Sequence, residues 1–298
     1  GVHRHAVLQG ENIGAGGHII ENYGLVPWSG SGALNGGDGA AFLNQVGATF
    51  LIGGNATFGY NGSGNGATFA NAGTVRKTAG ELTNFAVDFT NNGLVETFAG
   101  TLRLSGGGSG NGRFHAEEST IEFTSNYTLN DGATFTGGGN LLSSGVLYIP
   151  GAATAHVASV ALGAGRLELA GGVLGGDGTL AVEADGQLDW TGTLLTGTGT
   201  LVIGSGGTLN IDGTVNHDFW RADNIGVGGR KIDNYGVTFW NGGALRGGDG
   251  AVFTNRPGGL FVATADGALT ANGSGEAPTF DNRGTFRKSG GDETTAVS

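Results

Sequence analysis

Cysteine and methionine are both missing from the 298 residues. Without cysteine there is no disulfide framework and no thiolate metal site. A chain that begins at Gly1 with no methionine reads as processed or cut from something longer. Charged residues make up only 13% of the chain, and proline occurs 4 times. No apolar run approaches about 18 residues, so no helical membrane span is expected. No secretory leader is visible. Basic residues are scarce, 14 against 25 acidic ones, giving a formal net charge of −11. That balance argues against a nucleic-acid partner, which needs a basic face. A mild acidic excess favours solubility and suits an extracellular protein.

What the chain has in abundance is glycine, 65 residues in all, where ordinary usage is about 7%. Yet 38% of residues are hydrophobic. Disordered chains show the opposite balance, with high charge and little apolar surface. The sequence therefore describes a folded protein that turns often.

Internal repeats explain the turning. "TFANAGTVRKTAG" (Thr68 to Gly80) returns as "TFDNRGTFRKSGG" (Thr279 to Gly291), at an offset of 211. "ENIGAGGHIIENYG" (Glu11 to Gly24) returns as "DNIGVGGRKIDNYG" (Asp223 to Gly236), and "GALNGGDGAAF" (Gly32 to Phe42) as "GALRGGDGAVF" (Gly243 to Phe253). We read residues 1–298 as one continuous domain built from tandem units 1–212 and 213–298, the second partial. A shorter period lies inside: Asn22, Asn44, Asn71 and Asn91, then Asn234, Asn255 and Asn282, sit in the pattern Phe/Ile-x-Asn or Phe-x-Asn-x-Gly. Their gaps of 22, 27, 20 and then 21 and 27 are the length of one solenoid coil.

Between the asparagines lie short alternating strands such as "GTLAVEA" and "GTLNIDG", each entered through a glycine. No stretch carries a sustained 3.6-residue apolar period. A propeller needs blades of about 40–50 residues, and a sandwich leaves the coil-spaced asparagines unexplained. The reading that remains is an all-β, right-handed parallel β-helix (a β-solenoid) of about 14 coils of roughly 20 residues with almost no helix. Inward side chains form apolar columns. Glycine takes the corners where φ is positive, and asparagine files pass amide hydrogen bonds from coil to coil.

The segments Phe69 to Gly108 and Leu188 to Gly213 resemble the repeats of giant bacterial surface proteins. They are similar in style to the β-helical shafts of filamentous-haemagglutinin-like adhesins and autotransporter passengers. The resemblance implies a secreted, non-catalytic structural or adhesive shaft at the bacterial cell surface or in an extracellular filament. Its expected partners are further copies of itself, end to end or laterally, and surface glycans. A carbohydrate-binding or polysaccharide-degrading β-helix and a phage tail-fibre shaft are the alternatives.

Candidate chemistry is sparse. "GGDG" occurs around Asp38, Asp177 and Asp249. These are weak calcium candidates, because each site offers one carboxylate where calcium takes 6–8 oxygens; tight turns account for them. Otherwise no cofactor is expected. Arg76-Lys77 and Arg287-Lys288 read as a solvated outward face rather than a glycan contact. His3, His5, His18, His115, His156 and His217 read as surface or terminal residues, although His3 and His5 would share a strand face. Glu117-Glu118 and Asp185/Asp189 are the carboxylate groupings to test for glycoside hydrolysis, which needs two carboxyls about 5–9 Å apart across a groove. Trp28, Trp190 and Trp240 share the context Trp-Ser/Thr/Asn-Gly and read as packing rather than sugar platforms; Trp220 lies outside it. The glycine strings precede neither Lys-Ser/Thr nor a helix, so they are not phosphate loops.

Overall fold

The computed structural model describes residues 17–158, 165–222 and 226–297. Among the described residues every regular element is a short strand, and there is no helix. Each strand pairs in parallel with the strand three places further along the chain, so the sheets are built in a cycle of three. The fold is an all-β parallel β-solenoid of about 12 turns. The count is lower than the asparagine spacing suggests because corners vary in length: Thr68 pairs with Asp88, but Thr200 pairs with Lys231.

The chain forms two compact units, Gly1–Tyr127 with Gly138–Asn140 and Thr128–Gly137 with Leu141–Ser298. In the first, one sheet stacks Ile19–Asn22, Ala41–Asn44, Thr68–Asn71, Asp88–Asn91 and Gly108–Gly110. A second runs from Leu25–Trp28 through Thr49–Ile52, Thr74–Lys77 and Leu94–Thr97 to Arg113–Ala116. A third runs from Leu34–Gly36 through Ala56–Tyr60, Leu82–Phe85 and Thr101–Leu104 to Thr120–Phe123. The second unit repeats the scheme. One of its sheets stacks Thr179–Val182, Thr200–Ile203, Lys231–Asn234, Val252–Asn255 and Thr279–Asn282.

The period of two decides what goes inside. In Thr120–Phe123 and Thr179–Val182 the second and fourth residues are buried, while the first and third are partly open to solvent. Identical register then aligns like with like. In the first unit Phe69 lies flat against Phe42 (5.0 Å between ring centres, 2° between planes) and Phe89 (5.3 Å, 11°). The edges of Phe50, Phe58 and Phe85 close around it. In the second unit the equivalent column is Leu180, Leu201, Ile232, Phe253 and Phe280. Burying a side chain of this size contributes roughly 1.5–3 kcal/mol, and each column needs its neighbours to be buried at all.

Two kinds of corner glycine carry the turns. Gly100 sits at φ 58°, a left-handed conformation that glycine tolerates. The glycine of Asn-x-Gly works differently. Gly93 is not left-handed; a Cβ there would lie 2.2 Å from the Gly73 carbonyl oxygen of the coil before. Gly73, Gly236 and Gly284 are crowded in the same way. At this corner glycine is required by the close approach of backbones, not by positive φ as the sequence suggested.

The tandem repeat and the solenoid turn are out of step. Among the described residues Ile19–Asn22 is the first strand and its repeat partner Lys231–Asn234 the twenty-ninth. With strands recurring in threes, the second copy enters the cycle one strand later.

Candidate functional site

The most ordered polar feature is the asparagine file. In the first unit Asn22 Nδ2 donates to Asn44 Oδ1, Asn44 to Asn71 and Asn71 to Asn91, each at 2.8 Å. The other amide hydrogens go to backbone carbonyls of the following strands: Thr49 at 3.1 Å, Thr74 at 3.0 Å and Leu94 at 3.0 Å. In the second unit Asn234 donates to Asn255 at 2.9 Å and Asn255 to Asn282 at 2.7 Å. The first file ends at Asn91 and the second begins at Asn234, where the register partner on the next or preceding strand is no longer asparagine. The strand before Asn234 offers Ile203, and Asn234 Oδ1 has no donor. These amides are occupied by each other and by the backbone, so they satisfy a buried corner rather than present it.

The GGDG turns divide into two types. Asp38 and Asp249 are buried and left-handed, with φ of 55° in both. Ser63 Oγ donates to the Asp38 carboxylate at 3.0 Å, and Ser274 Oγ donates to Asp249 Oδ1 at 2.8 Å. Ala222 N–H adds a donor to Asp249 at 3.3 Å. Asp177 is exposed and receives the Thr198 hydroxyl at 2.7 Å and its N–H at 3.2 Å. Those bonds to Thr198 hold its carboxyl below the usual range, with Arg221 and Arg230 reinforcing them. Among the described residues no three of His, Cys, Asp and Glu converge as a metal site would need. The three aspartates lie in separate turns, and each closes a corner.

The carboxylates of the two groupings have different local surroundings. Asp189 is buried between Arg166, Gln187 (2.8 Å) and Asn210 (2.7 Å). Asp185 and Glu118 sit in left-handed turns, with φ of 60° and 49°. Glu117 lies 3.7 Å from His115. On the same outer faces, charged residues pair across neighbouring coils: Arg76 with Glu96 at 2.5 Å, Arg103 with Glu122 at 2.7 Å, and Arg246 with Asp218 through two nitrogens. Each such pair stabilises by roughly 0.2–1 kcal/mol.

Trp28, Trp190 and Trp240 are buried. Their indole N–H groups donate to corner carbonyls of Gly32 (3.0 Å), Thr193 (2.5 Å) and Gly243 (3.0 Å). None of the three offers a ring face to a ligand. His3 and His5 lie outside the described residues.

Two interior polar side chains depart from the sequence reading, and a third went unread in it. Lys77 is not on a solvated face: it is the fourth residue of its strand, so it points inward with Val75 and donates to the Ala79 carbonyl at 2.6 Å. Burial lowers its pKa. His217 is not a surface residue: it is fully buried, its ring edge-on to Trp190 at 5.1 Å, and neither ring nitrogen has a partner. Arg230 is fully buried as well. Its Nη1 donates to Thr196 O at 3.1 Å and Gly176 O at 3.3 Å, while Nε and Nη2 have no partner. Burial pushes its pKa down to about 10, and the charge of Asp177 opposes the shift. The repeat held a signal for one of these, since Arg230 stands opposite His18, a polar residue in both copies.

No family model, curated protein or solved structure matches the chain.

Proposed function

We propose that this chain is part of a structural, non-catalytic shaft of a secreted bacterial surface or filament protein. Its partners would be further copies of itself, joined end to end or side by side. The observation that supports this reading most is where the polar side chains go. The asparagines link coil to coil, the buried aspartates close turns, and Arg76, Arg103, Arg166, Arg246 and Arg256 pair with acids on adjacent coils. A protein so arranged spends its polar chemistry on coil-to-coil cohesion, which is what load-carrying and protease resistance demand of a repeat protein. The compositional likeness to adhesin and autotransporter shafts, and the acidic surface, point the same way.

Immunolabelling of intact, unpermeabilised cells that produce the parent protein tests the reading. An antibody raised against residues 17–158 is expected to label the cell exterior or filaments shed from it. Labelling that appears only after the cells are lysed would overturn the proposal.

A further inference from the structure

We propose that the corner around Tyr60 and Asp88 is a binding site for a neutral saccharide with a free vicinal diol. The site is a concavity of about 320 Å³ beside the corner Asn61–Gly66, lined by Tyr60, Gly66, Thr68, Val87, Asp88 and Gly106. Its floor, Ala67 and Val87, is buried and apolar. Tyr60 leaves 46% of its surface exposed, and its hydroxyl donates to Gly64 O at 2.5 Å, which holds the ring in place as a platform. Thr68 and Asp88 are register partners on adjacent strands, both exposed. Their side chains therefore stand about 5 Å apart.

The second copy of the repeat shows that the fold does not require Tyr60. The corner Asn272–Glu276 is built as Asn61–Asn65 is. Ser63 N–H and Ser274 N–H each bond the asparagine side chain two residues back at 2.9 Å. Asp38 N–H and Asp249 N–H each bond the serine carbonyl at 2.7 Å. In place of Tyr60 this corner has Ala271. The same turn closes with or without the ring, so a half-exposed aromatic at position 60 serves something other than the turn.

The chemistry selects the ligand. An aromatic face fixed at one edge offers flat apolar area to the C–H face of a pyranose while its polar end stays wet. A carboxylate accepts hydrogen bonds from two adjacent hydroxyls, the stronger class of such bonds. The apolar floor and the small volume suit one or two sugar rings. A net charge of −11 and the Asp88 carboxylate itself disfavour uronates and sulfated sugars. This inference goes beyond the shaft reading and fails independently of it.

The test is an array of neutral gluco-, galacto- and manno-oligosaccharides with their uronic-acid counterparts, probed with the whole 298-residue chain displayed multivalently on beads, since one shallow site binds weakly. Retention on at least one neutral oligosaccharide is expected, weakened about tenfold or more in Tyr60→Ala and in Asp88→Asn. Tyr60→Ala is expected to keep the wild-type unfolding midpoint, because Ala271 already closes the equivalent corner; should it fail to fold, Asp88→Asn decides. The proposal is overturned if no neutral oligosaccharide is retained, if both variants bind as wild type does, or if only the uronic-acid sugars bind.

Discussion

His217 shows how one side chain can set the pH response of a solenoid. Its imidazole lies inside the coil with neither nitrogen bonded, so burial disfavours the charged form and lowers its pKa; Asp212 and Asp218 oppose this more weakly. The sign follows from linkage. Above the unfolded value of about 6.5 both states are neutral and the group contributes nothing to the pH dependence. As pH falls through that value, the unfolded chain takes up a proton that the folded chain refuses. Stability then drops by at most about 1.4 kcal/mol per pH unit until the folded pKa is reached. Urea unfolding at pH 7.5 and 5.5, wild type against His217→Leu, isolates the effect, because every other ionisable group is common to both proteins. The wild type is expected to lose more stability than the variant, by up to about 1.4 kcal/mol. Equal losses would mean that the buried ring accepts its proton in place.

At the level of strand and corner, the glycine of Asn-x-Gly makes a sharper demand than the left-handed glycines around it. Gly93→Ala would push a Cβ to 2.2 Å from Gly73 O, which only a backbone shift can relieve. Gly132, at φ 89° with open space around it, faces only the conformational penalty of a left-handed alanine. We expect Gly93→Ala to cost about 1–3 kcal/mol or more and Gly132→Ala about 1–2 kcal/mol, read from chemical denaturation; the reverse order would refute the close-approach account. Strand existence and register were legible in the sequence, because each strand writes its own alternation and the phrase around Asn71 and Asn282 marks the same corner twice. What was not legible follows from parity and spacing. Lys77 follows Arg76 in a charged pair, yet adjacent strand residues face opposite ways, so one of the two must go inside. The role of Gly93 depends on how near the previous coil passes, and no residue of the motif records that distance. Tyr60 was legible only as a difference between copies, once both corners could be compared.

For the molecule as a whole, the consequence of parallel stacking is that stability is local. A globular core shares one set of contacts, so a defect anywhere lowers protection everywhere; in a solenoid each coil contacts only its neighbours, and the effect of a defect fades with distance along the stack. Asn71 is the place to test this. It is 1% exposed, accepts from Asn44 and donates to both Asn91 and the Leu94 carbonyl. Asn71→Ala leaves those buried groups short of partners, at roughly 1–3 kcal/mol each. Because Asn44 keeps its bond to Thr74 O and Asn91 still accepts from Gly93 N–H, the total is expected near 2–4 kcal/mol. Hydrogen exchange followed along the intact chain would show where that loss is felt. Protection should fall most in Thr68–Asn71 and in its register partners Ala41–Asn44 and Asp88–Asn91, and less in Ile19–Asn22. The second asparagine file, Asn234 to Asn282, should keep its wild-type protection. A uniform fall across both files would show that the chain unfolds as one cooperative body, and the idea that each turn is held mainly by the turns directly above and below it would have to be given up.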